Sequence, residues 1–186
     1  LFVEKLQKYD VNIYLHLNSV QNKKFKKNVI TIKGDIQKIS FWNKNIINKD
    51  YLINFASYEQ AFEKKNLHLE EDFKTNTMSS IFALISSFNY NKKIKIIFFG
   101  SENQIGISNK MNSKSNIDNP VTFFGINKLV TEQYSNFFKD IFHMKSVFIR
   151  LSNVYGPSIN TKLSLRSSFN KIIYNGLKGK INLFDN

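Results

Sequence analysis

Apolar positions along the chain recur in two rhythms, one of period two and one close to 3.6, and the two alternate. Leu1–Tyr9 carries Phe2, Val3 and Leu6 on one face and predicts the end of a helix. Val11–Leu17, Asn28–Asp35 and Asp50–Ser57 read as strands, the second closing on a Gly-Asp turn. Phe73, Met78, Phe82, Leu84 and Ile85 predict a long helix from about Asp72 to Phe88. Lys93–Ser101 is short, apolar and bounded by polar turns, the pattern of a buried strand. A second long helix is predicted over Phe123–Phe142, then a strand and loop over Ser146–Pro157, a helix over Leu165–Leu177 and a short strand at Ile181–Phe184. The stretch Ser108–Pro120 reads as a loop.

Strands alternating with helices imply βαβ units and a doubly wound parallel sheet covered on both faces. In such a sheet ligands bind at the carboxyl ends of the strands. The segments that follow strands are therefore the places for chemistry: Gly34-Asp35, Ala56-Ser57, Gly100-Ser101 and Ser152–Pro157.

Composition narrows the classes. At 186 residues and 42% hydrophobic the chain can bury a core. It has no cysteine, which excludes disulfides and thiolate metal sites. His16, His68 and His143 are too scattered for a zinc site. The net charge of +13 invites a nucleic-acid partner, but only Arg150 and Arg166 are arginine. The excess is lysine spread along the chain, beside 25 asparagines and many Ile and Phe, a mix that AT-rich codons explain. No nucleic-acid partner is expected. No apolar run approaches a membrane span, and the opening "LFVEKLQKYD" is charged and unlike a leader, so a cytoplasmic location is expected. The first Met is Met78, so the chain is expected to begin inside a longer protein.

Six segments at these strand ends then carry a resemblance. They are "KGDIQ", "YLINFAS", "KTNTMSSIFALISSF", "FFGSENQIG", "PVTFFGINKLVTEQY" and "IRLSNVYGP". In this order they resemble the extended short-chain dehydrogenase/reductase family, the NAD(P)-dependent nucleotide-sugar epimerases and dehydratases. The resemblance implies a Rossmann-type fold over residues 1–155 and the beginning of a smaller substrate-binding region over 156–186. It implies NAD or NADP as cofactor, NAD favoured, with Asp35 and Ile36 at the adenine end and Phe55, Ala56, Ser57, Asn76 and Lys128 beside the cofactor. It implies Ser101 and Lys128 as catalytic residues, Asn153 and Tyr155 at the substrate, and a nucleotide sugar as substrate. A homodimer through a two-helix face that includes Phe123–Phe142 is a further implication.

The departures are as informative. The first glycine is Gly34, so the family's Gly-rich loop and the strand before it have no counterpart here. The acidic residue that the family places at the end of its second strand is replaced near His16. Most telling is Phe124, four residues before Lys128, where the family has tyrosine. A tyrosinate beside a lysine can take the proton of an alcohol as its hydride leaves. A phenyl ring cannot. Two readings follow: an enzyme with its base replaced, or a non-catalytic relative that binds cofactor or sugar nucleotide.

Overall fold

A computed structural model describes residues 2–17, 25–58, 68–106, 118–152, 154 and 168–179. In chain order the elements begin with α1 (Phe2–Leu6), β1 (Ile13–His16), β2 (Val29–Ile32), α2 (Ile39–Asn45) and β3 (Tyr51–Asn54). A continuous helix follows in three parts: α3 (Leu69–Asp72), a π-helical stretch (Phe73–Met78) and α4 (Ser79–Tyr90). Then come β4 (Lys95–Ser101), a 3-10 turn (Glu102–Gln104), α5 (Phe123–Phe142), β5 (Lys145–Leu151) and α6 (Ser168–Leu177). The expected strand at Ile181–Phe184 lies outside the described residues.

All strand pairs among the described residues are parallel. β4 is the centre of a three-stranded sheet in the order β3-β4-β5, with Ile53, Ile97 and Val147 in register. β1 and β2 form a separate pair, with Ile13 opposite Val29. The split leaves β1 and β3 each paired on one side only among the described residues. Side chains span this break: the Lys49 ammonium sits 3.9 Å from the ring centroid of Tyr14.

Alternation along β4 builds the core. Ile96 and Phe98 point to one face and meet Trp42 of α2 and Ile46 just after it, Ala83 and Leu84 from α4, and Phe138 from α5. The other face carries Phe99 stacked on Phe55 at 4.6 Å, with Phe2 of α1 edge-on to Phe55. Helices thus lie on both faces of a Rossmann-like α/β sheet.

Two local features were not foreseen from the sequence pattern. The first is α2, which the strand-helix alternation did not include. It is a short helix whose Trp42 and C-cap Ile46 are buried, and Trp42 Nε1 donates to Ile36 O at 2.7 Å. The second is the π-helical stretch inside the long helix, which begins at Leu69, ahead of the expected start. Helix α5 has the expected bounds. Thr122 caps it, its side chain accepting from Gly125 N at 3.0 Å, and His143 ends it in the left-handed conformation at φ 55°. Among the described residues no helix is long and apolar enough to cross a membrane.

Candidate functional site

At the carboxyl end of β4 the chain turns at once. Ser101 is the N-cap of the 3-10 turn: its Oγ accepts from Asn103 N at 3.3 Å, and its N–H donates to Gln104 Oε1 at 2.9 Å. An Oγ that accepts keeps its own O–H for donation. The start of α5 rests directly on this turn. A Cβ at Gly125 would collide with the carbonyl oxygen of Asn103, so only glycine allows the approach. Close contact at Gly125 brings Phe124 and Lys128 to the end of β4.

Lys128 is 7% exposed, unusual for a lysine, and its Nζ lies 5.4 Å from the centroid of the Phe124 ring. The ammonium and the ring are one helical turn apart on the same side of α5. Ser101, Phe124 and Lys128 are therefore gathered at one strand end.

The remaining predicted residues divide into two places. Asp35 and Ile36 follow β2. The Asp35 carboxylate accepts from Gln37 N at 2.9 Å, an Asx turn, and the Ile36 carbonyl is held by Trp42. His16, at the end of β1, donates from Nε2 to Gly34 O at 2.7 Å and ties the ends of β1 and β2 together. Phe55, Ala56 and Ser57 follow β3, with Ala56 N donating to Asn54 Oδ1 at 3.0 Å.

Asn76 sits in the π-helical stretch at 1% exposure, and its amide is fully engaged. Its Oδ1 accepts from Tyr58 N at 3.1 Å and Ser57 Oγ at 3.4 Å; its Nδ2 donates to Tyr58 O at 2.6 Å and Asp72 Oδ1 at 2.7 Å. Those four bonds use the amide's capacity. Asn76 thus grips the loop after β3. Asn153 and Tyr155 lie outside the described residues.

Several residues around this site escaped the sequence reading. Asp72, Asn127 and Thr131 form a buried polar network with Asn76; spacings of four residues (Asp72 to Asn76, Asn127 to Thr131) were the available signal. A second network leads away from Ser101: Gln104 Nε2 donates to Glu132 Oε2 at 2.5 Å, which also accepts from Arg150 Nε at 2.8 Å. Arg150 in turn makes a two-pronged pair with Asp118 at 2.7 and 2.6 Å. This fork pushes the Asp118 carboxyl below its ordinary range, first by hydrogen bonding and then by charge, against an opposing burial effect.

The fold agrees with that of known proteins. No curated protein sequence matches the chain at a significant level. Among solved structures it is similar to a UDP-glucose 4-epimerase with UDP-glucose from Thermotoga maritima, at 22% identity and TM-score 0.79, covering 99% of this chain and 61% of that one. It is similar to a UDP-N-acetylglucosamine 4-epimerase in complex with UDP-N-acetylmuramic acid from Methanobrevibacter ruminantium, at 24% identity and TM-score 0.78, covering 96% and 58%. A third is a tyrosine-to-phenylalanine mutant of a UDP-glucuronic acid 4-epimerase from Bacillus cereus, in complex with NAD and a 4-deoxy-4-fluoro analogue of UDP-glucuronic acid. It is 18% identical with TM-score 0.77, covering 96% and 59%. The chain thus spans about three fifths of the length of these structures. The model of the NAD-dependent epimerase/dehydratase family matches residues 2–186, and the chain belongs to that family.

Proposed function

We propose that this chain is the cofactor-binding part of an NAD(P)-dependent epimerase or dehydratase acting on a nucleotide-activated sugar, with Phe124 in the place of the general base. The observation that carries the reading is the buried Lys128 ammonium facing the Phe124 ring at 5.4 Å, on a helix seated on the Ser101 turn. Lysine is among the residues least often buried, and this one stands one helical turn from the ring that takes the place of the base.

The residues present fit a dinucleotide in kind. They offer an exposed carboxylate at Asp35, an apolar neighbour at Ile36, the Phe55–Ser57 segment after β3 and a buried cation at Lys128. The pyrophosphate cradle is the exception, since no glycine precedes Gly34. NAD is favoured over NADP, because a neighbour of the same fold holds NAD. Bound, the dinucleotide supplies the hydride acceptor. Lys128 holds its ribose hydroxyls, and Ser101 donates from Oγ to the reacting oxygen of the sugar. Asp35 accepts at the adenine. Asn76 keeps the Ala56–Tyr58 loop in place, and Asn153 and Tyr155 wall the sugar. Residues 1–155 make the dinucleotide part and 156–186 open the substrate region. The location is cytoplasmic.

The chain pairs as a homodimer through α5. Phe123, Ile126, Val130, Tyr134, Phe137 and Ile141 form a stripe at spacings of three and four, and all but Val130 are exposed.

Phe124 favours a second reading, a relative that binds cofactor and sugar nucleotide without turnover. A neighbour changed from tyrosine to phenylalanine still holds both NAD and a sugar-nucleotide analogue, so loss of a phenol hydroxyl is compatible with binding in this fold. The test is the full protein beside Phe124→Tyr, each given NAD or NADP and a panel of UDP-, dTDP-, GDP- and CDP-sugars. A positioned base is worth roughly 10²- to 10⁴-fold in rate, and the variant is expected to gain that much at the reduced-nicotinamide absorbance. A parent that already turns over as fast as the variant assigns the base elsewhere.

A further inference from the structure

The chemistry proposed above uses no buried acid, yet one lies beneath it. Asp72 ends α3 at 4% exposure. A carboxylate is buried at a cost unless hydrogen bonds replace its water. Here Oδ1 accepts from two amides, Asn76 Nδ2 and Asn127 Nδ2, each at 2.7 Å. A charged acceptor makes such bonds shorter and stronger than a neutral one.

The two amides belong to different parts of the site. Asn76 passes the constraint to the loop after β3 through its paired bonds with the Tyr58 backbone. Asn127 stands next to Lys128 on α5, so fixing its side chain fixes the rotation that turns Lys128 inward. Asn127 Oδ1 also accepts from Thr77 Oγ1 at 3.1 Å, and Thr131 Oγ1 bonds the Asn76 and Asn127 carbonyls at 3.0 and 2.8 Å. Apolar contact between helices tolerates small slips and rotations, whereas two amides converging on one oxygen do not.

We infer that Asp72 is a positioning residue whose carboxylate holds the Ala56–Tyr58 loop and the Phe124–Lys128 turn of α5 in one register. The two thus form a single rigid floor for dinucleotide and sugar. The ligand half of this statement rests on the function proposed above; the coupling half does not.

The experiment compares the full protein with Asp72→Leu, Asp72→Asn and Ile96→Val, the last lowering stability from the apolar core. Two quantities are read: amide hydrogen exchange at Tyr58 against amides of β4, and NAD affinity by fluorescence titration. Bonds to a charged group set the scale, so Asp72→Leu is expected to speed Tyr58 exchange roughly 10- to 100-fold with β4 unchanged. It is also expected to weaken NAD about tenfold, the order a lost positioning contact costs. Asp72→Asn keeps an oxygen of the same reach and is expected to fall between, about threefold at Tyr58, since the charge is gone. Should Asp72→Leu fail to fold, Asp72→Asn decides alone. Tyr58 exchange that stays at the parent rate, or rises no more than in Ile96→Val, overturns the inference. If the parent binds no dinucleotide, the function proposed above fails, and Tyr58 exchange still decides the coupling.

Discussion

The helix layer over β4 is built of different materials at its two ends. At the amino end of the strand, Ile94, Ile96, Leu84, Phe138 and Met144 close an apolar core, and Phe88 and Phe142 add a tilted ring pair at 4.7 Å. At the carboxyl end the equally buried positions are Asp72, Asn76, Thr77, Asn127, Lys128 and Thr131. One helix crosses both: the inward face of α5 reads Asn127, Lys128, Thr131, Ser135 and only then Phe138. Burial therefore does two jobs. At one end it supplies stability that any well-packed set of apolar side chains could supply. At the other it holds polar groups at fixed angles, which apolar packing cannot do, at the cost of needing every partner in place.

The largest expected effect breaks the apolar end. Leu84 is fully buried. Leu84→Ala is expected to cost about 2–5 kcal/mol, the range for a leucine removed from a packed core. Urea unfolding gives the value, and dinucleotide affinity measured on the folded fraction is expected to stay at the parent's. A loss of affinity as large as that of Asp72→Leu would mean that the two ends are not separable.

This division also explains what could be read in the sequence. The apolar end writes itself as pattern: β4 is legible as a short apolar run between polar turns, and α5 lies where a helix from about Phe123 to Phe142 is expected. The short α2 broke the alternation because its pattern is only two buried positions, Trp42 and Ile46, in a lysine- and asparagine-rich stretch. The polar end has no such rhythm. Ser101, Phe124 and Lys128 are singled out only through a family's spacing, Asn127 is one of 25 asparagines, and Asp72 stands at the start of a helix where an acidic residue is ordinary. That Asn76 grips Tyr58 needs coordinates, because the loop it holds is eighteen positions away in the chain. Asn76 was expected beside the cofactor from the resemblance alone; its bonds to Ser57 and Tyr58 had no signal in the sequence.

A middle-sized effect concerns acid. Asp118 is held below its ordinary carboxylate range chiefly by its hydrogen bonds from Arg150. A group depressed in the folded state stabilises above its unfolded pKa, about 3.9 for Asp, and that contribution fades as pH falls through the lower folded value. The pair is partly exposed, so its worth is roughly 1 kcal/mol or less. Asp118→Asn is expected to lower the urea midpoint slightly at pH 7. The gap should close as pH is lowered below about 4. A gap that holds constant down to pH 3, or widens, would contradict this assignment.

The smallest effect is the sharpest test of the comparison. Ser87 Oγ, in the second half of α4 on the apolar side, is the one buried side-chain polar atom without a hydrogen-bond partner among the described residues. At the carboxyl end, by contrast, Thr131 Oγ1 and both Asn76 amide atoms have partners. A buried hydroxyl with no partner gives up its water for nothing, whereas deleting a satisfied one strands its partner. Ser87→Ala removes the stranded group and opens no space beyond one oxygen atom. It also swaps serine for the better helix former. The variant is expected to be neutral or more stable by up to about 1 kcal/mol, read as an unchanged or raised urea midpoint. A clear loss of stability would mean that Ser87 has a partner after all, as its neighbour Ser86 has in Asn43 at 2.7 Å.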